Sequence, residues 1–183
     1  MLIYRICRAE FAKGLNTSGL AGRWNHNGQR VLYASSTRSL AALEQLANRS
    51  GLILNASYSV MIIEVPDSLD SFRTINPEVL TSESSDSFRK IEPGFLSPES
   101  SDSFRTIAPA ILPPDWQRIS GYGRLQDLGS NWYNQLESLL LRVPSVLVPQ
   151  EQNYLINTQH QDFTTKVKLV RIEDFNWDNR LGV

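Results

Sequence analysis

Residues 22–46 read GRWNHNGQRVLYASSTRSLAALEQL, and the succession of patterns inside them decides the fold class. Asn25, Asn27 and Gly28 are turn residues. They give way to VLYAS, whose alternation puts Val31, Tyr33 and Ser35 on one face of a short strand. Ser35, Ser36 and Thr37 then precede a helical pattern that Gly51 closes. The predicted apolar stripe of that helix runs through Leu40, Leu43, Leu46 and Ala47. At ~100° per residue, Glu44 falls about 40° from Leu40, on the shoulder of the stripe, where a solvent-facing carboxylate is not expected.

Outward from this stretch the patterns stay short and mixed. Residues 2–8, containing YRICR, alternate as a first strand, and ASYSVMIIEVP (56–66) is rich in β-formers. RLQDLGSNWYNQLES (124–138) reads as a helix. LLLRVPSVLVP (139–149) reads as buried strands meeting at a bend around Ser145, because Pro144 interrupts the run. QEQNYLINTQHQDF (150–163) reads as a polar connection, and TKVKLVRIEDF (165–175) as a closing strand. The expectation is one α+β domain over 1–183, with mostly antiparallel sheets and a few helices.

Composition narrows the function classes. With 41% hydrophobic and 20% charged residues and a net charge of −1, the chain has no basic field for nucleic acid and no polybasic face for a membrane. No run approaches the ~18 apolar residues of a spanning helix, and MLIYRICRAEF lacks the apolar stretch of a secretory leader. Cys7 is the only cysteine, which fits a reducing compartment and a cytoplasmic protein. His26 and His160 stand in polar, turn-rich surroundings without further ligands at metal-binding spacing, so no metal is expected. Phosphate-cradling glycine motifs and a G-x-S-x-G elbow are missing; GYGRLQDLG (121–129) has the wrong spacing.

Three tandem copies of a 16-residue unit occupy 69–84, 85–100 and 101–116, each keeping Asp-Ser-Phe-Arg-x-Ile-x-Pro. The unit is too short for a helical repeat and the copies too few for a solenoid. The reading is one connecting segment duplicated twice, an insertion that costs little loop entropy. A partner-binding surface is the alternative.

What chemistry remains lies in polar residues set on apolar elements: Arg5, Arg23, Tyr33, Glu44 and Ser145. A buried charge is costly unless it is paired or holds a ligand. The plain structural reading is an Arg23–Glu44 ion pair fastening loop to helix.

RWNHNGQRVLYASSTRSLAALEQL, followed far downstream by LLLRVPSVLVPQEQNYLIN, resembles the RES domain family, named for an Arg, a Glu and a Ser. By position these fall on Arg23, Glu44 and Ser145; Tyr33 matches a further site tyrosine and Arg5 a supporting arginine. Trp24, Asn25 and Asn157 flank the motifs. The triplicated 69–116 region departs from the family's single short connection, which ends in a segment like LPPDW. The resemblance implies an ADP-ribosyltransferase-like fold and a bacterial toxin neutralised by an Xre-like antitoxin. It implies NAD⁺ as substrate rather than cofactor, cleaved by hydrolysis or by phosphorolysis with inorganic phosphate as co-substrate. Glu44 would then stabilise the developing oxocarbenium centre, Arg23 and Arg5 would fork onto the diphosphate, Tyr33 would meet nicotinamide, and Ser145 would fix a ribose or phosphate oxygen. Transfer of ADP-ribose to a protein is the second expectation, and a non-catalytic module working through the repeats the third. Self-association is expected, in no stated number.

Overall fold

In the computed structural model, which describes residues 1–48, 56–67, 104–136, 138–178 and 180, the alternating segments assemble into one seven-stranded sheet. The strands are β1 (Leu2–Arg8), β2 (Val31–Ser35), β3 (Tyr58–Glu64), β4 (Phe104–Thr106), β5 (Leu140–Pro144), β6 (Gln152–Asn157) and β7 (Lys168–Phe175). Their order is β4-β5-β6-β2-β1-β3-β7, and every neighbouring pair is antiparallel except β4–β5. Among the described residues three α-helices join them: α1 (Arg38–Ala47), α2 (Tyr122–Gln135) and the single turn α3 (Phe163–Lys166). The α+β expectation holds.

The central strands are buried on both faces, so consecutive residues belong to different clusters. Leu140 and Ile156 pack with Ile3, Leu32, Met61 and Ile63 on one side. Leu141 and Leu155 pack with Trp24, Leu125, Trp132 and Tyr133 on the other, beneath α2. Ala41 of α1 lies on Ile6, Val60 and Ile62. Contact between β1 and β2 is slight: one registered pair, Tyr4–Ser35, where β1 and β3 share a continuous run from Leu2–Glu64 to Arg8–Tyr58. The cleft described below is lined by both strands where they part.

Three elements differ most from the sequence reading. QEQNYLINTQHQDF contains β6, a central strand between β5 and β2; its asparagines look like turn residues but are hydrogen-bonded inward, Asn157 to the Tyr133 carbonyl at 2.8 Å. In LLLRVPSVLVP only Leu140–Pro144 is strand. Beyond it Ser145 N–H donates to the Glu151 carbonyl and Glu151 N–H to the Val148 carbonyl, which closes a turn instead of a second strand. On α1 the buried residues are Leu40 and Ala41, while Leu43 is 44% exposed and Ala47 is also exposed. The helix is rotated so that its inward face passes through Glu44.

Copies one and two of the repeat and the start of the third, up to residue 103, lie outside the described residues, as does Gly51. From Phe104 onward the third copy is structural. Phe104 forms β4, and Ile107, Leu112 and Trp116 are buried beside α2.

Candidate active site

Thr37 caps α1: its Oγ1 accepts from Leu40 N–H at 3.1 Å and donates to Glu151 at 2.8 Å, tying the helix start to the turn after β5. Ala41, Glu44, Gln45 and Asn48 then follow at helical spacing and line a cavity of about 460 Å³, within the ~300–1,000 Å³ usual for ligand sites. Tyr4, Arg5 and Ile6 of β1, Tyr33 and Ser35 of β2, the loop through Arg23, and Asn153 of β6 complete the wall. Arg5, Arg23, Tyr33 and Glu44 are thus brought to one cavity.

Glu44 is not paired with arginine; among the described residues the Arg23–Glu44 ion pair does not form. Its Oε1 accepts from Ser145 Oγ at 2.8 Å and from Asn153 Nδ2 at 2.6 Å. Ser145 is fully buried, and its oxygen accepts from the backbone N–H of Leu147 and Val148 at 3.1 and 3.2 Å. One donor and two acceptor sites exhaust a hydroxyl. Ser145 therefore stands behind Glu44, bonded to carboxylate and turn, rather than on the open wall.

Among the described residues no carboxylate pairs with Arg23, which is held by other groups. Nη1 donates to the Trp116 carbonyl at 3.3 Å, and the guanidinium lies 4.6 Å from the centre of the Tyr122 ring. Arg5 Nη1 donates to the Tyr33 carbonyl at 3.0 Å. With two arginines and one glutamate named on its wall, the cavity carries net positive charge.

Tyr33 organises the loop that carries Arg23. Its hydroxyl donates to Asn25 Oδ1 at 2.7 Å and accepts from Trp24 N–H at 3.1 Å. Burial pushes that hydroxyl far above the ordinary phenol range. The ring remains for the cavity. Gly22 is required here, because a Cβ would meet the Tyr33 hydroxyl at 2.7 Å. Asn25, fully buried, donates in turn to the carbonyls of Leu20 and His26 at 3.0 and 2.8 Å.

Other candidates fall away from the cavity. Cys7 is buried, and burial pushes its thiol up against the opposing influence of Arg5, the reverse of an activated nucleophile. His160 is buried with Nδ1 accepting from Asp162 N–H, and exposed His26 lies 2.9 Å from Asp127. Among the described residues no cluster of three or more His, Cys, Asp or Glu is placed to hold a metal ion, and no helix is long and apolar enough to cross a membrane. Sequence reasoning missed Asn153 and Tyr122. Period-2 alternation through NYLIN, once accepted as a strand, puts Asn153 on the face of Leu155 and Asn157; nothing local marks Tyr122.

The chain is similar to known proteins. A family model described as the RES domain matches residues 2–178. The "Toxin Res" of Yersinia enterocolitica serotype O:8 / biotype 1B is 27% identical over 185 residues, covering 99% of each chain. The "Prs ADP-ribosylating toxin" of Sphingobium sp. (strain YBL2) is 32% identical over 180 residues, 97% of this chain and 90% of that one. Among solved structures, the M. tuberculosis MbcT–MbcA toxin–antitoxin complex contains a chain that superposes with a TM-score of 0.62, over 96% of this chain and 84% of that one, at 13% identity. That last likeness is one of fold.

Proposed function

Because the chain belongs to the RES domain family, we propose that it is the toxin of a toxin–antitoxin pair and consumes NAD⁺ by cleaving the bond between nicotinamide and ribose. The observation that carries this reading is Glu44. A carboxylate is fixed through one oxygen by Ser145 and Asn153, on the wall of a cavity that also holds Arg5 and Arg23.

The chemistry fits those side chains. As nicotinamide departs with the bonding electron pair, positive charge develops on the anomeric carbon and ring oxygen, as in glycoside cleavage. Glu44, preorganised before substrate arrives, stabilises that charge where it appears. Arg23 and Arg5 bind the diphosphate; the Tyr122 ring and the Trp116 carbonyl hold the Arg23 fork in place. The Tyr33 ring stacks on nicotinamide while its hydroxyl keeps the Arg23 loop in position. Ser145 supports Glu44, in place of the substrate contact that the resemblance implied. Water adding to the anomeric carbon gives ADP-ribose and a proton; inorganic phosphate gives ADP-ribose 1″-phosphate.

A second reading sends ADP-ribose to a protein acceptor, and the 32% identity to an ADP-ribosylating toxin favours it. Incubation with NAD⁺ labelled in the adenylate half separates the two. Free ADP-ribose, or its phosphate ester when phosphate is present, marks the first reading; label on a protein band marks the second. Failure of Glu44→Gln to abolish either product would remove glutamate from the mechanism. The partner that fits is an antitoxin covering this cavity, of the Xre-like kind, and the expected place of action is the cytoplasm.

A further inference from the structure

We infer that Asn153, oriented by Ser35, is a positioning residue that assigns the two oxygens of Glu44 to separate tasks, Oε1 to the protein and Oε2 to the substrate. The inference rests on the functional reading above and deepens it. Asn153 Nδ2 lies 2.6 Å from Glu44 Oε1, and Asn153 Oδ1 lies 2.7 Å from Ser35 Oγ. A carboxylate oxygen that receives hydrogen bonds has no proton to give, so the Asn153 amide must turn its NH₂ toward Glu44. That leaves Oδ1 facing Ser35, which must donate. The register makes the contact unavoidable, because Ser35 of β2 and Asn153 of β6 are directly paired in the sheet.

A second directed chain reaches the same oxygen. The N–H groups of Leu147 and Val148 donate to Ser145 Oγ, and Ser145 donates to Oε1. Two hydrogen-bond chains, one from a strand pair and one from a turn, therefore end on Oε1, and each link polarises the next. Two donors fill the acceptor sites of that oxygen. Among the described residues no hydrogen bond is made to Oε2. Rotation about the carboxylate axis, which would exchange the oxygens, is blocked by the same bonds. With Glu44 lining the cavity, the oxygen left for a ribose hydroxyl is Oε2.

The test pairs kinetics on NAD⁺ with the amide resonances of Asn153. Loss of one hydrogen bond to a charged group predicts that Asn153→Ala lowers kcat by about tenfold to a hundredfold with KM for NAD⁺ within about twofold. Ser35→Ala lowers kcat by less, about threefold to tenfold, and Ser35→Thr, which keeps the donor, restores it. In ¹H–¹⁵N spectra of the unmodified protein, one Asn153 side-chain proton is downfield and protected from exchange; it moves upfield in Glu44→Gln and loses protection in Ser35→Ala. Unchanged kcat in a folded Asn153→Ala protein would overturn the inference while leaving the NAD⁺ reading intact. Absence of turnover by the unmodified protein counts against the NAD⁺ reading alone. The amide signal then decides, since two equivalent, unprotected protons mean that Asn153 does not hold Glu44.

Discussion

Three side chains at this site, Glu44, Arg23 and Tyr33, are held by neighbours without any ligand. Glu44 is fixed through Oε1, Arg23 by a ring and a carbonyl, and Tyr33 by the loop it braces. Ser145 is the residue at which stability and chemistry meet. Ser145→Ala removes a donor from Glu44 and leaves two turn N–H groups without their acceptor. The expected cost is about 1–3 kcal/mol in urea unfolding, together with a fall in kcat. Lost stability with kcat unchanged would reduce Ser145 to a holder of the turn. Of the residues named from sequence, Glu44 stood out as a carboxylate set among apolar residues, which left an ion pair or a ligand as its readings, and the family resemblance chose between them. The relation between Glu44 and Ser145 was not legible, because their contact spans 101 positions and no local pattern encodes it.

At the scale of elements, α1 and α2 bring their residues to the cavity through tethers at different points. α2 approaches the Arg23 loop so closely that a Cβ on Gly129 would lie 1.9 Å from the Trp24 carbonyl oxygen. Gly129→Ala must push helix and loop apart, at an expected cost of about 1–3 kcal/mol read as a lower midpoint in urea, with KM for NAD⁺ raised because Arg23 moves. α1 is tied to the sheet edge by Arg38, which pairs with Glu173 of β7. Arg38 foremost, then Arg171, holds the Glu173 carboxyl down to about 2. A value depressed in the folded state means that the stabilisation is full above about pH 4.5 and is lost as pH falls through about 2. The difference in Tm between the unmodified protein and Glu173→Gln is therefore expected to be constant above pH 4.5, small because water screens the pair, and to vanish toward pH 2. Strands 1–3 and 7 and both long helices follow from periodicity. β6 does not, because its asparagines, read as turn residues, are recruited by partners far away in sequence.

Over the whole molecule, the triplicated segment is divided by its own sequence. Phe104 and Ile107 have counterparts in Phe72, Ile75, Phe88 and Ile91, but where the third copy has Trp116 the others have Ser84 and Ser100. The Trp116 indole is buried beside α2 and its backbone carbonyl receives Arg23, so among the described residues the end of the third copy joins the connection to the site. Deletion of 69–100 is expected to leave melting temperature and NAD⁺ turnover close to those of the full chain, since loop length enters stability only logarithmically. Phe104→Ala, by contrast, is expected to cost about 3–5 kcal/mol in the same assay, because Phe104 is 4% exposed within the core. Abolished partner binding in the shortened chain would instead make the repeats a working surface. The fold class was readable from the short alternation of strand and helix patterns, whereas the strand order was not, because pairings such as β2–β6 join residues more than a hundred positions apart. The central claim, that Glu44 serves cleavage of NAD⁺, is tested most directly by proton NMR of NAD⁺ with the purified, antitoxin-free protein beside Glu44→Gln, with and without inorganic phosphate. Free nicotinamide appearing with the unmodified protein and not with the variant is the predicted result. Intact NAD⁺ after prolonged incubation with a folded sample, or equal release by Glu44→Gln, would contradict it.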